Sequence, residues 1–134
     1  MFVMKIDQSL LDSLSVQAAK SSRLRQAYDL RTSSADQSQR ILNALEPGTV
    51  IPIHRHRATA ETLVMVRGRI LQRLYNDSGE LEEVFEMSPG GMCSVLQIPA
   101  GQFHSLECLE SGTVIFEAKD GVYAPLDDSD VLSM

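Results

Sequence analysis

The sequence lacks several features that would place it in a specialised class of proteins. No stretch approaches the ~20 apolar residues that cross a bilayer. The first residues soon include Lys5 and Asp7 and offer no small-residue cleavage site, so we expect neither a membrane partner nor a secretion signal. Only two cysteines occur, Cys93 and Cys108, which allow at most one disulfide bond. Without an export signal we predict reduced thiols and a cytoplasmic location.

Positive charge is also scarce. Twelve Lys and Arg residues stand against 18 Asp and Glu residues, which gives a net charge of −6 and an isoelectric point near 4.9. Proteins that hold nucleic acid through its phosphates need a basic surface, so we expect no nucleic-acid partner. The 134 residues, 43% of them hydrophobic, are enough for one domain with its own core.

The N-terminal part of the chain has the pattern of an amphipathic helix. Apolar residues recur at spacings of three and four from Leu10 to Ala18. Asp7 or Ser9 can cap such a helix at its start. We therefore predict a short helix within residues 1–22 that packs against the rest of the domain.

From residue 23 onward the pattern is that of short strands. An alternating segment at 23–31 and a polar loop at 32–39 precede apolar runs that alternate with Gly-, Pro- and Asn-containing turns about every ten residues. This spacing favours an all-β sandwich or barrel over residues 23–126. Acidic residues 127–134 carry few apolar anchors and are expected to form a loosely held tail. The other predicted strands are residues 41–45, 49–53, 62–67, 70–75, 81–87, 94–98, 104–109 and 113–118, with a hairpin turn at 76–79.

The three histidines of the chain are candidates for metal binding. His54 and His56 are two residues apart in a predicted strand, so their side chains point to the same face, and Glu61 follows at the start of the next strand. His104 would add a third imidazole. Imidazole nitrogens and carboxylate oxygens bind divalent iron, manganese, nickel, copper and zinc. We predict one divalent metal ion at these four residues, with Fe or Mn favoured and Zn or Ni possible.

The spacing of these residues resembles the two sequence motifs of the cupin superfamily. The first motif, G-x5-H-x-H-x4-E-x6-G, is matched at every position by Gly48, His54, His56, Glu61 and Gly68. The centre of the second motif, P-x-G-x-x-H, is matched by residues 99–104, while Cys93 and Cys108 stand where that motif has Gly and Asn. The resemblance implies an all-β cupin jelly-roll barrel with a short N-terminal α-helix.

Longer stretches of the chain resemble the WbuC family of cupin metalloproteins. They are residues 39–48, 54–57, 61–70 and 117–126. The genes of that family lie among those for bacterial surface polysaccharide, so the resemblance implies a role in polysaccharide precursor metabolism. It implies no particular reaction.

Three functions follow as alternatives. The first is a metal-dependent enzyme that isomerises or epimerises a small sugar-derived or anionic substrate, with the metal acting as a Lewis acid. The second is an Fe(II)-dependent dioxygenase. The third is a non-catalytic module that binds a small molecule such as a sugar nucleotide.

Further residues are candidates for catalysis or assembly. Arg67 shares the parity of Glu61 in its predicted strand, so we expect it to face the cavity if no bulge intervenes, where it could bind an anionic group. Tyr123 could supply an acid or a base. Cys108 is expected to fill the interior as a small apolar side chain. Exposed sheet edges invite pairing, so the strand at 23–31 is the predicted contact of a homodimer.

Overall fold

The computed structural model describes residues 3–132. In that range an α-helix precedes ten β-strands, and a short 3-10 helix at Asp128–Asp130 lies before the last strand. The elements are α1 (Gln8–Lys20), β1 (Arg25–Asp29), β2 (Ser38–Leu45), β3 (Ile53–His54), β4 (Glu61–Arg67), β5 (Ile70–Tyr75), β6 (Leu81–Met87), β7 (Val95–Ile98), β8 (Phe103–Cys108), β9 (Thr113–Asp120) and β10 (Val131–Leu132).

Two five-stranded antiparallel sheets pack face to face. One has the strand order β1-β2-β9-β4-β7, and the other has the order β10-β3-β8-β5-β6. Side chains from both sheets meet in one buried core, because alternate residues of each strand point inward. The predicted jelly-roll architecture is therefore confirmed. The core residues are Leu45, Leu63, Met65, Ile70, Met87, Cys108 and Ile115.

The helix α1 begins after the predicted cap. The Asp7 side chain accepts a hydrogen bond from the Leu10 N–H at 3.0 Å, which satisfies one of the free donors of the first turn. Leu11, Leu14 and Ala18 form the buried stripe of the helix. The stripe covers the face of the first sheet that is turned away from the core, at Leu42, Ala44 and Val114. The first two residues of the predicted helical segment lie outside the described residues.

Gly68 forms the tight turn between β4 and β5. Its φ is +85°, a backbone conformation that favours glycine over residues with a Cβ atom. A Cβ at this position would lie 2.7 Å from the Thr113 Cα and would overlap the Thr113 hydroxyl. The last glycine of the first motif is therefore required both by the turn and by the close approach of β9.

The predicted strand at 49–53 is wrong for most of its length, since only Ile53 and its neighbour His54 form β3. Side chains take the carbonyl groups that a neighbouring strand would otherwise use. Arg25 Nη1 donates to the Val50 carbonyl at 2.6 Å, and Ser105 Oγ donates to the Ile51 carbonyl at 2.6 Å. Pro52 has no N–H to give to a ladder.

The expectation of a loose C-terminal tail is also wrong for residues 127–132. Strand β10 pairs with β3, with Val131 opposite His54. Asp130 is only 7% exposed, and its Oδ1 accepts hydrogen bonds from Arg55 Nε at 3.1 Å and Arg57 Nε at 3.0 Å. These ion pairs, made with a distant part of the chain, compensate for the few apolar anchors. Residues 133–134 lie outside the described range.

Both cysteines are free thiols. Cys108 is buried in the core, as predicted, and burial raises the pKa of its thiol. Cys93 is partly buried, with its Sγ 3.6 Å from the Val95 carbonyl. None of the helices in the described part of the chain has the length and apolar character needed to cross a membrane.

Candidate metal centre

The two sheets each contribute part of a polar cluster between them. His54, at the end of β3, lies directly opposite His104 on β8 in the same sheet. His56 lies two residues after the end of β3, and Glu61 is the first residue of β4 in the facing sheet. The four predicted metal ligands therefore converge on one point between the sheets.

The distances in this cluster suit a single metal ion. The ring centroids of His54 and His104 are 4.3 Å apart, and His56 lies 5.2 Å and 5.8 Å from them. Each of the three rings has one nitrogen that lies within 4.8 Å of a nitrogen of both other rings. Glu61 Oε2 lies 3.0 Å from His56 Nε2 and 3.8 Å from His104 Nε2. A cation in the middle would be within reach of three imidazoles and a carboxylate.

Hydrogen bonds to the backbone set the orientation of two of these rings. His54 Nδ1 lies 2.8 Å from the Pro52 carbonyl, and His104 Nδ1 lies 2.9 Å from the Gln102 carbonyl. A carbonyl oxygen only accepts, so each Nδ1 carries the proton and donates it. Each Nε2 then has a free lone pair, which is the form of imidazole that binds metals.

Two buried polar atoms of the cluster have no hydrogen-bond partner within residues 3–132. They are Glu61 Oε2 and His104 Nε2. His56 Nε2 lies 3.0 Å from Glu61 Oε2 without forming a hydrogen bond to it. A buried polar atom without a partner costs about 1–3 kcal/mol. A metal ion bound at this point would satisfy both atoms, so the residues present fit the ion that the cupin motifs imply.

The electrostatics keep the cluster in its metal-binding protonation state. Burial, and next the nearby His104, lower the pKa of His54 to about 4. Burial also lowers the pKa of His104, although the Glu61 charge opposes it. Burial disfavours the charged form of Glu61, but His56, His104 and Lys119 outweigh it and lower the pKa of that carboxyl. Near neutral pH, His54 is neutral and Glu61 is ionised, as metal ligands must be.

Two cavities meet at the cluster. The outer cavity, of about 690 Å³, opens beside His54 and His56. It is also lined by Gln39, by residues 57–60 before β4, by residues of β9 and the segment after it, and by Asp130. The inner cavity, of about 170 Å³, lies between the sheets against His54, His104 and Glu61. Apolar side chains such as Leu63 and Ile115 form part of its walls. A small molecule in either cavity would lie next to the metal ligands.

Several of the residues that line these cavities were not predicted from the sequence, and three of them are Gln39, Glu117 and Lys119. Gln39 and Lys119 line the outer cavity, and Glu117 lines both. Burial, and next the Glu61 charge, raise the pKa of Glu117 to about 7, and its Oε1 accepts a hydrogen bond from Asn43 Nδ2 at 3.3 Å. The alternation of residues along β9 could have revealed two of them. Glu117 and Lys119 share the parity of buried Ile115 in an apolar strand, so two charged residues occupy core-facing positions.

Arg67 does not face either cavity, so that expectation is wrong. The pairing of β4 with β9 shifts between Met65 and Arg67, and this bulge reverses the alternation on which the expectation depended. The Arg67 guanidinium instead lies against the N-terminal helix, where Nη1 is 2.8 Å from Asp12 Oδ1. Its Nε donates to the Gly112 carbonyl at 2.9 Å. Arg67 thus attaches the helix to the barrel.

Tyr123 lies at the rim of the outer cavity, in the segment that follows β9. It is 57% exposed, and the Arg31 guanidinium carbon sits 5.8 Å from the centre of its ring. The structure therefore brings Tyr123 to the same cavity as His54 and His56, while it places Arg67 elsewhere.

The fold is that of the cupins, and the four side chains at its centre stand at the positions of the cupin motifs. Solved structures of two cupins are similar to it. KdgF from Halomonas sp. is 15% identical, with a TM-score of 0.59, over 72% of this chain and 80% of that one. A variant of oxalate decarboxylase from Bacillus subtilis is 19% identical, with a TM-score of 0.61, over 81% of this chain and 28% of that one. The present chain thus spans little more than a quarter of oxalate decarboxylase, and at these identities the likeness shows the fold alone.

The particular family follows from a family model that matches residues 6–87. Its description is "Domain of unknown function (DUF6016)", and because the match covers more than half of the chain, the protein belongs to this family. Among curated proteins, none matches the chain. The family description names no activity, and only the residues of the site indicate a function.

Proposed function

We propose that the protein is a metal-dependent enzyme that acts on a small sugar-derived or anionic molecule. The ion would be held by His54, His56, Glu61 and His104. The observation that carries this proposal is the pair of buried, unpartnered atoms, Glu61 Oε2 and His104 Nε2, which face each other across 3.8 Å. Their ring and carboxylate would be costly to bury together without a cation.

Iron or manganese is the proposed metal, with zinc or nickel as competitors. Three imidazoles and one carboxylate are donors that suit Fe(II) and Mn(II) and leave positions for a ligand. Support also comes from a similar cupin: one structure of Bacillus subtilis oxalate decarboxylase, 18% identical over 82% of this chain, is described with Mn(II) centres.

The proposed chemistry is isomerisation or epimerisation. A bound divalent ion supplies Lewis acidity toward a carbonyl or hydroxyl oxygen. The protein's own residues would do the remaining work. The apolar walls of the inner cavity at Leu63 and Ile115 exclude water from one side of the site. Tyr123, at the rim of the outer cavity, is the proposed group that exchanges a proton with the bound molecule. The resemblance to the WbuC family supports a setting in surface polysaccharide metabolism.

The test is the metal content of the protein, purified without added metal and without a nickel column. We expect about one iron or manganese ion per chain by elemental analysis, and loss of that ion in the His54→Ala/His104→Ala double variant. A matched pair of variants isolates the contribution of the Glu61 carboxylate. Glu61→Gln should lower metal occupancy by tenfold or more, whereas Glu107→Gln should not change it, because Glu107 is exposed on β8 and its carboxylate pairs with Arg73 on β5 at 3.0 Å. Wild-type protein that holds no metal, even after Fe(II), Mn(II), Ni(II) or Zn(II) is added, would sink the proposal.

We also propose a cytoplasmic homodimer. The free thiols of Cys93 and Cys108 are compatible with a reducing compartment. Strand β1 is the edge of its sheet, so its outer side is available for pairing with a second copy. Sedimentation should give the mass of a dimer, and the mass should fall to that of a monomer when Ala27 in β1 is changed to Pro; a monomer in the wild type contradicts the proposal.

A further inference from the structure

Three polar side chains form a row across the inward face of the first sheet. In the register of the strands, Gln39 on β2 is opposite Lys119 on β9, and Lys119 is opposite Glu61 on β4. Directly opposite residues share a face and have Cβ atoms about 5 Å apart. Glu61 belongs to the candidate metal centre, whereas Gln39 and Lys119 are not among its proposed ligands. The row connects the metal centre to the outer cavity.

Gln39 has a hydrogen-bonding requirement that the described residues do not meet. The residue is only 6% exposed. Its Nε2 donates to the Gly121 carbonyl at 3.2 Å, while its Oε1 is buried and has no partner among residues 3–132. An unpaired buried acceptor is unfavourable by about 1–3 kcal/mol. Gln39 lines the outer cavity, so a hydroxyl group of a molecule bound there could supply the donor that its Oε1 lacks.

Lys119 provides a positive charge in the same cavity. No carboxylate of the described residues pairs with its ammonium group within 4.0 Å. The other basic residue of the cavity lining, Arg57, is already paired with Asp130 at 3.0 Å. Lys119 is therefore the cation that is available to an anionic ligand.

The charges around the cavity limit how negative that ligand can be. Three acidic residues, Glu117, Asp120 and Asp130, line the cavity together with Arg57 and Lys119. A divalent ion at Glu61 would bring the total close to zero. The cavity thus offers one unpaired side-chain cation for one anionic group and no pair of arginines, which a diphosphate would engage bidentately.

We propose that Gln39 and Lys119 form a binding subsite for a small hydroxy acid with a single negative charge. Its carboxylate would accept hydrogen bonds from the Lys119 ammonium, and a hydroxyl a few bonds away would donate to Gln39 Oε1. The subsite rests on the proposed function, since it places the acid beside the metal centre. The subsite would bind a sugar-derived acid in preference to a sugar nucleotide, because the cavity has no pair of cations to match a diphosphate.

The test is calorimetric titration of the metal-loaded protein with four probes. Gluconate has both a carboxylate and hydroxyl groups, sorbitol replaces the carboxylate with a hydroxymethyl group, and hexanoate lacks the hydroxyls. UDP-glucose carries a diphosphate. We expect gluconate to bind roughly 10- to 100-fold more tightly than sorbitol or hexanoate, as one charge-assisted hydrogen bond allows. UDP-glucose should bind more weakly than gluconate.

Matched variants test whether Gln39 and Lys119 cause the preference for gluconate. Lys119→Met should bring gluconate down to the affinity of sorbitol, and Gln39→Leu should bring it down to that of hexanoate. Lys20→Met, at an exposed position in the last turn of the helix, should change nothing. If Gln39→Leu unfolds, Gln39→Met keeps an unbranched side chain of similar length and should give the same loss. Melting curves verify that each variant is folded.

Metal content, measured on the same dialysed samples, shows whether a negative result concerns the subsite alone or the metal centre as well. Protein that retains metal but binds gluconate no better than sorbitol, or binds UDP-glucose more tightly, refutes the subsite and leaves the metal centre standing. Equal gluconate affinity in wild type and Lys119→Met refutes it as well. Wild-type protein without metal overturns the metal centre and the subsite together.

Discussion

Replacing Gly68 by alanine tests whether the first motif needs its last glycine for two separable physical reasons. The first is the backbone: a residue with a Cβ atom at φ +85° loses roughly 1–2 kcal/mol. The second is contact, because the added Cβ would lie 2.7 Å from the Thr113 Cα. That atom belongs to the backbone of β9 and can move only with its strand, and such overpacking costs typically about 1–3 kcal/mol. We expect Gly68→Ala to lose about 2–5 kcal/mol of unfolding free energy.

A second glycine in the chain serves as the matched control. Gly112 has φ +80°, and nothing lies within 4 Å of a Cβ built on it. Gly112→Ala should therefore lose only the backbone part, about 1–2 kcal/mol. Urea unfolding of both variants and the wild type, in EDTA so that metal binding does not contribute, gives the two losses directly. Equal losses in the two variants would refute the argument from contact with Thr113.

Two further predictions concern the elements next to the candidate metal centre. In metal-free protein, burial lowers the pKa of His54 to about 4, whereas the value in the unfolded chain is 6.5. Between these two pH values the unfolded chain binds more protons than the folded protein. The contribution of neutral His54 to the free energy of unfolding is therefore complete above pH 6.5 and is lost on acidification. Urea unfolding should show wild type losing about 2 kcal/mol relative to His54→Gln between pH 7 and pH 5, and parallel pH profiles would contradict this. Asp130→Asn should loosen the ion pairs to Arg55 and Arg57 and speed amide hydrogen exchange in β3 and β10, whereas the exposed Asp128→Asn should not; unchanged exchange in Asp130→Asn would show that the ion pairs do not hold these strands.

The predictions that succeeded depended on short-range geometry. The Asp7 cap, the helix and most strands followed from residue spacing, because the periods of helix and strand are set by the backbone itself. The turn at Asn76 is an example: its Oδ1 accepts from the N–H groups of Ser78 and Glu80, within four residues. Such contacts depend only on residues that are close together in the sequence.

The predictions that failed depended on contacts between distant residues. The bulge after Met65 turned Arg67 toward the helix, and strand parity cannot reveal a bulge that a partner strand imposes. The C-terminal segment is ordered by Asp130, whose partners lie 73 and 75 residues earlier in the chain. Composition predicted a loose tail because it counts apolar anchors and not ion pairs.

By itself, the sequence determined the class of fold and the identity of the candidate metal ligands. His54 and His56 had to be close, since only Arg55 separates them, and the motif spacing associated Glu61 and His104 with them. Only the tertiary structure decided that Glu61 reaches the histidines from the opposite sheet, and that Gln39 and Lys119 stand beside it in one row. The physical reason is range: dihedral preferences act over a few residues, whereas the pairing of β2, β9 and β4 joins residues up to 82 positions apart.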